Sequence, residues 1–283
     1  MTKAAQLDAG GFLRSDSFER LDGDLEGGLV ILVDHASNRI PPEYGDLGLP
    51  PSELERHIAY DIGAAPLGRV LAERFRAPAL LTSFSRLLID ANRGEDDPTL
   101  VMRLSDGAVI PGNAAVDASE VASRLERFHR PYHAAVAATL DGMVASGRPP
   151  AIFSIHSYTP VWKGARRPWH AGILWDRDRR FAVPLLHGLR RETGLRIGDN
   201  EPYSGALKND TMYRHGTARG LAHVLLEVRN DLIASPAGVL EWADRLEPLL
   251  REILADETLY RICHYGSSAD AGGTGEEDHA RVR

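Results

Sequence analysis

Four apolar runs each lead into residues that could do chemistry. Gly28 to Val33 leads into Asp34-His35, and Leu87-Leu88-Ile89 into Asp90-Ala91-Asn92-Arg93. Ala151 to Ile155 leads into His156-Ser157-Tyr158, and Leu221 to Leu226 into Glu227 with Arg229, Asn230 and Asp231. Runs of this kind read as buried strands, and strand ends in α/β proteins are where binding and catalytic residues collect. Histidine there suits a divalent metal. An Asn-Arg pair suits a carboxylate, because guanidinium offers two parallel donors and the amide a third. A metal facing an anion site, with a carboxylate between them, is the equipment of a hydrolase.

A hydrolytic zinc takes three protein ligands and leaves one position for water. His35 and His156 are the first two candidates; the plain alternative for each is a loop histidine bonded to backbone. Asp61 is preferred to Asn38 as third ligand, since an amide is a poor zinc ligand beside a carboxylate. His57 and Asp61, at i and i+4, would share a helix face, with His57 supporting the site or the two forming an exposed pair. His129 and His133 have the same spacing but lack the Glu of a His-Glu-x-x-His helix, so they read as structural or supporting. Glu227, after a strand apolar except for His223, would have its pKa raised into the range of a general base. Pairing with Arg229 is its plain alternative. Arg86, Arg93 and Arg229 suggest a local anion pocket in an otherwise acidic chain. The loops Trp162 to Trp169 and Asn200 to Gly205 are candidate lids, the second offering Tyr203 as a donor.

These residues need a scaffold. Ser52, with Glu55 three residues on, opens a helical pattern that runs to Phe75. Further helices are expected over 118–144, 179–193, 208–218 and 236–256, and strands over 28–33, 79–83, 87–89, 151–155, 171–175 and 221–228. Alternating strands and helices predict a single three-layer α/β/α domain on a mixed, mostly parallel sheet. The catalytic domain is expected to span 18–265, after an extension over 1–17 and before a disordered tail over 266–283 rich in Gly, Ser, Asp and Glu.

Composition narrows the partners. The chain has 283 residues, 43% hydrophobic, with a net charge of −7. That charge argues against a nucleic-acid surface, which needs clustered Lys and Arg. No apolar run approaches the roughly 20 residues that cross a bilayer. The first ten residues lack the apolar core of a secretory signal. The lone Cys263 excludes an internal disulfide and a cysteine-rich zinc ribbon, and near the chain end it makes a poor nucleophile. A soluble, cytoplasmic protein is expected, with any metal held by His and carboxylate.

The segments Asp34-His35-Ala36-Ser37-Asn38-Arg39-Ile40-Pro41, His57 to Gly63, Ser85-Arg86 with Asp90-Ala91-Asn92-Arg93, and Ser154 to Pro160 resemble the N-formylglutamate amidohydrolases. The likeness runs from about Leu29 to Asp231 and beyond. More distantly the same pieces are similar to zinc carboxypeptidases and aspartoacylases, which implies a zinc-exopeptidase or phosphorylase/hydrolase-like fold. The resemblance implies His35 and His156 as zinc ligands, Arg86 as oxyanion stabiliser, Asn92 and Arg93 as carboxylate clamp, and Glu227 as base. Arg229, Ser157 and Tyr203 are taken as further substrate contacts. Where the distant relatives have His-x-x-Glu, this chain has Asn38, and Asp61 is the replacement ligand. The implied reaction removes an N-formyl group from an acidic amino acid such as N-formyl-L-glutamate, as in histidine degradation. The alternatives are a carboxypeptidase or peptidoglycan amidase on the same site, and a non-catalytic anion-binding protein.

Overall fold

The computed structural model describes residues 6–7 and 13–270. Its centre is a nine-stranded sheet. In chain order the strands are β1 (Gln6–Leu7), β2 (Leu13–Arg14), β3 (Phe18–Leu21), β4 (Leu29–Val33), β5 (Ala79–Thr82), β6 (Ala151–Tyr158), β7 (Ala171–Leu174), β8 (Ile197–Asp199) and β9 (His223–Arg229). They lie side by side in the order β1-β2-β3-β5-β4-β6-β9-β7-β8. The central strands β5, β4, β6 and β9 run parallel. Antiparallel pairs flank them, β3 against β5 on one side and β7 against β9 on the other. Among the described residues no helix is long and apolar enough to cross a membrane.

Helices cover both faces, as a central parallel sheet requires. Leu29, Ile31 and Val33 of β4 belong to one core with residues of α1 (Ala64–Phe75), α4 (Ala182–Arg190) and α6 (Pro236–Leu254). Val30 and Leu32 point the other way, into a second core containing Phe128, Tyr132 and Val136. That core is roofed by α2 (Ala118–Arg124), one π turn and α3 (Arg130–Ala145). The three layers are thus the ones expected, and the long pattern over 118–144 is one helical run interrupted by the π turn. The segment expected as a helix over 208–218 shortens to α5 (Thr211–His215) and a 3₁₀ turn.

Three expectations change. Leu87-Leu88-Ile89 is not a strand but a fully buried turn. Side chains replace the ladder: Asn113 Nδ2 donates to Leu87 O at 2.7 Å and Arg124 Nη1 to Leu88 O at 2.8 Å. The backbone groups are satisfied without a neighbouring strand, so burial alone made the segment look like one. The helix expected from Ser52 to Phe75 breaks into Pro51–Leu54 and α1, with a loop between. Gly63 marks the break, with φ +81 and a Cβ position only 2.2 Å from Ile233 O. Asp61 therefore sits on that loop, anchored by its amide to His35 O at 2.9 Å, and shares no helix face with His57. Lastly, β6 extends through Tyr158, so His156 lies within the strand rather than after it, while Glu227 lies within β9, as the strand expected over 221–228 has it.

The expected tail over 266–283 lies outside the described residues from 271 onward; within it, Ser268–Asp270 forms a 3₁₀ turn.

Candidate active site

Strand parity builds the site. Side chains alternate across a strand, so His156 shares a face of β6 with Ile152, towards the second core. Glu227 is the register partner of His156 on the parallel neighbour β9, and it faces the same way. His35 follows β4, on the other side of β6. The Asp61 loop folds back over this end of the sheet. His35, Asp61 and His156, all buried, each offer one ligand atom, and these atoms lie within 4.8 Å of one another.

The imidazoles are held so that one nitrogen of each faces Asp61. His35 Nε2 is 2.7 Å from Asp90 Oδ1, and its Nδ1 is 3.3 Å from Asp61 Oδ2. His156 Nε2 is 3.2 Å from Asp34 Oδ2, and its Nδ1 is 3.0 Å from the same Asp61 oxygen. Asp34 is in turn fixed by the Tyr132 hydroxyl, which donates to its Oδ1 at 2.7 Å. With each Nε2–H given to a carboxylate, a neutral imidazole aims its Nδ1 lone pair at another carboxylate. Only a cation between them removes that repulsion: a proton on each ring, or one metal ion. The spacings suit a metal, because tetrahedral bonds of about 2.0–2.1 Å put donors about 3.3 Å apart. A carboxylate on the distal nitrogen is also how metal-binding histidines are commonly held.

The electrostatics agree. Burial pushes the Asp61 carboxyl up, but His35 and His156 outweigh it and hold its pKa far below the usual range. Burial opposes a charge on His156, yet its bonds to Asp34 and Asp61 raise its pKa well above normal. The pocket thus holds a positive charge strongly when metal-free, and a metal must displace that proton to bind.

Glu227 lines the same cavity. Its Oε2 is buried with no hydrogen-bond partner among the described residues, and burial lifts its pKa to about 7. It does not pair with Arg229, which chelates Asp231 at 2.7 and 3.2 Å. Arg229 is absent from the described lining of the cavity, so the structure leaves it out of the anion pocket. A partner two residues away is reached at little entropic cost, and it captures the side chain. Arg86 is pinned by Asp61 Oδ1 at 3.3 Å and Asp90 Oδ2 at 2.8 Å, leaving its buried Nε without a partner among the described residues.

The cavity over this cluster measures about 310 Å³. His35, Asp61, Arg86, Asn92, Arg93, His156, Ser157, Tyr203 and Glu227 all line it. Arg93 bonds the Thr99 hydroxyl at 3.1 Å and Asn92 O at 2.9 Å, and among the described residues its carboxylate neighbour is Asp97 at 4.0 Å. Asn92 Oδ1 accepts from Thr211 N, which fixes the amide beside α5. Ser157 is turned inward: its hydroxyl donates to Ile62 O at 2.8 Å and its amide to Asp61 Oδ2 at 3.2 Å. It positions the Asp61 loop. Both candidate lids reach the cavity, through Trp162 and Tyr203. The second lies close on the sheet because β7 has Gly172 opposite Glu227, where a Cβ would fall 1.8 Å from Glu201 O.

Some positions match the supporting roles foreseen for them. His129 Nε2 donates to Arg93 O and His133 Nε2 to Ala91 O, each at 2.9 Å, so both brace the Asn92-Arg93 turn. Asn38 is turned away, its amide donating to Leu54 O and Glu55. His57 lines the cavity, 3.4 Å from Asp106. Sequence reasoning missed the roles of Asp34 and Asp90, and it missed Asp210 altogether. The first two had a signal, an Asp beside each chemical motif; Asp210, a buried helix cap on the cavity wall, had none.

Fold and site together define a hydrolase of amide bonds. The chain belongs to the N-formylglutamate amidohydrolase family, whose model matches residues 27–234. It is similar to the crystal structure of gene product Atu2144 from Agrobacterium tumefaciens. That likeness has a TM-score of 0.81 and 34% identity, over 84% of this chain and 95% of that one. It also resembles the N-formylglutamate amidohydrolase from Ralstonia eutropha JMP134 in fold, with a TM-score of 0.62 and 21% identity, over 85% and 97% of the two chains. No curated protein matches the sequence.

Proposed function

We propose that residues 18–265 form a metal-dependent amidohydrolase that removes the acyl group from an N-acyl amino acid. Formyl is the acyl group suggested by the family, and N-formyl-L-glutamate, giving formate and glutamate, is the reference substrate. The observation that carries this reading is the convergence of His35, Asp61 and His156, with both distal imidazole nitrogens taken by carboxylates and unpartnered Glu227 beside them.

His35 Nδ1, His156 Nδ1 and Asp61 Oδ2 would hold the ion, zinc being the natural choice for two imidazoles and a carboxylate. When bound, a divalent ion supplies Lewis acidity to the scissile carbonyl and to the attacking water. Glu227 takes a proton from that water as its oxygen adds to the acyl carbon. It then delivers the proton to the amine nitrogen as the C–N bond breaks. Burial raises its pKa above the usual carboxylate range, which suits a group that must both take and return a proton. Arg86, held between Asp61 and Asp90 on the cavity lining, would place its guanidinium charge near the oxygen that gains charge, an interaction often worth about 3 kcal/mol. Arg93 and Asn92 hold the substrate carboxylate and fix the amide over Glu227.

The test is metal analysis of the purified protein joined to hydrolysis of a panel of N-formyl amino acids before and after chelation. Activity lost on chelation and restored by a divalent ion is the expected result. Turnover unaffected by thorough chelation would remove the metal from the reading.

A further inference from the structure

The loop after β6 carries a cation that the catalytic steps do not use. Val161–Trp162 pairs antiparallel with Ala165–Arg166 across a two-residue turn, Lys163 and Gly164, both at positive φ. The hairpin is tied down at its foot. Arg167 N donates to Pro160 O at 2.9 Å, and the Tyr158 hydroxyl donates to Trp169 O at 2.7 Å. The Arg167 guanidinium then lies over three rings, 5.0 Å from the centroid of Tyr203, 5.3 Å from Trp162 and 5.4 Å from Tyr158. All three distances are within the range of a cation–π contact. Trp162 and Tyr203 line the cavity, and Tyr158 stands two residues after His156 on the same face of β6. Both candidate lids and the strand that carries His156 thus meet at one guanidinium.

That guanidinium is equipped for an anion it does not yet hold. Of the arginines around the site, Arg86 is taken by Asp61 and Asp90, and Arg229 by Asp231. Arg167 has no carboxylate partner among the described residues, and its hydrogen bond to Thr159 O is long, at 3.4 Å. Carboxylates are not scarce, with 40 Asp and Glu against 33 Lys and Arg in the chain. Stacking occupies the face of a guanidinium and leaves its N–H edge to grip a planar anion. Its place also fits a far contact of a substrate. His35, Asp61, His156 and Glu227 are buried, whereas Tyr203 is 42% exposed and Trp162 and Arg167 are half-buried, so Arg167 belongs to the outer part of the site.

We infer that Arg167 is a specificity-determining residue: it binds a second carboxylate, the one on the side chain of an N-acyl amino acid, with Trp162 and Tyr203 holding its plane. The inference rests on the deacylase reading above and adds the residue that selects an acidic side chain. The α-carboxylate stays on Arg93 and Asn92. The competing role for Arg167 is a brace that only ties the two lids together.

The experiment compares kcat/KM of the metal-loaded full chain on N-formyl-L-glutamate and N-formyl-L-glutamine, which share a shape and differ by one charge. Wild type should favour the glutamate substrate by about tenfold or more, the scale of a charged hydrogen-bonded contact. Arg167→Gln should remove that preference through KM for the glutamate substrate and leave the glutamine substrate nearly unchanged. Arg167→Lys keeps the charge but loses the fork and should give an intermediate ratio. Arg166→Gln, the same charge change at the exposed neighbour, should keep the wild-type ratio. No preference in wild type would overturn the inference, as would a folded Arg167→Gln variant in which both substrates fall alike, the mark of a brace. Should that variant not fold, Arg167→Lys decides: a lowered ratio supports the contact and an unchanged one overturns it. Hydrolysis of neither substrate would count against the deacylase reading itself. Arg167 is then judged by calorimetric binding of glutarate against its monoamide. A preference for glutarate that Arg167→Gln loses supports the inference; no preference, or one the variant keeps, overturns it.

Discussion

The protein buries two groups of histidines and sets them up in opposite ways. His35 and His156 each face carboxylates with both ring nitrogens, Asp90 and Asp61 for one, Asp34 and Asp61 for the other. His129, His133 and His215 meet no carboxylate in their ring bonds. Their partners are the carbonyls of Arg93 and Ala91 and, at 2.9 Å between His133 Nδ1 and His215 Nε2, one another. Burial drives the pKa of all three of these down, His215 to about 3, whereas carboxylates drive His156 up. One group invites a cation and the other excludes it. Histidine count and spacing do not separate ligand from brace; the charge of what each ring touches does.

The comparison breaks most visibly at the ligands. His35→Ala or His156→Ala should abolish metal retention and activity together, while His133→Ala keeps the metal, as elemental analysis of the purified variants would show. Metal lost from the His133 variant and kept by the other two would invert the assignment.

Glu227→Gln should retain fold and metal and lower kcat by about 10²–10⁴, since the amide cannot take the water proton. Near wild-type turnover would mean that another group is the base. The carboxylate partners come next in size. Asp34→Asn should weaken metal affinity by about 10–100-fold, measured by competition with a chelator, because it loosens the His156 ring. His129→Gln, on the brace, should leave that affinity unchanged.

pH sharpens the same contrast. Burial raises the folded pKa of Glu227 to about 7, so its base form is lost as pH falls through that value. At saturating metal, kcat/KM should fall about tenfold per unit on the acid side. The ion's charge moves the limb below 7 rather than above it. Rates that climb as pH drops from 7 to 5 would exclude Glu227 as base. The smallest effect belongs to the turn held by the brace. Arg93→Lys keeps the charge but loses the fork, and should raise KM roughly tenfold, about 1.4 kcal/mol, for substrates with a free carboxylate. The matched amides, already poor, should change little; equal discrimination by wild type and variant would release Arg93 from the clamp.

Much of the scaffold was legible because its signals are local. β4, the first part of β6 and the Val224-Leu225-Leu226 stretch of β9 announce themselves as apolar runs, the mark of strands buried on both faces. Asp61 is the instructive intermediate case. Its residue type suggested a ligand, and it lies with His35 and His156, but the helical spacing used to place it was misleading. The first helix ends at Leu54 and Gly63 caps the start of the next, and between them the chain turns back to His35 O. Arg229 went the other way: its strand was foreseen, but Asp231 captured its guanidinium. The turn at Leu87 read as a strand because burial and apolarity are common to both, and the side chains that satisfy its backbone, Asn113 and Arg124, come from much later in the chain.

By itself the sequence determined the period of each strand, the sequence family and the residue types available for the chemistry. These depend on neighbours within a few positions, where alternation and turn residues act. The tertiary structure alone decided which carboxylate meets which ring, and that Arg93 rather than Arg229 lines the cavity. Those outcomes depend on strand order and on loops crossing between segments far apart in the chain. A hydrogen bond or ion pair is made only within a few ångströms, and no local pattern records which distant groups will come that close.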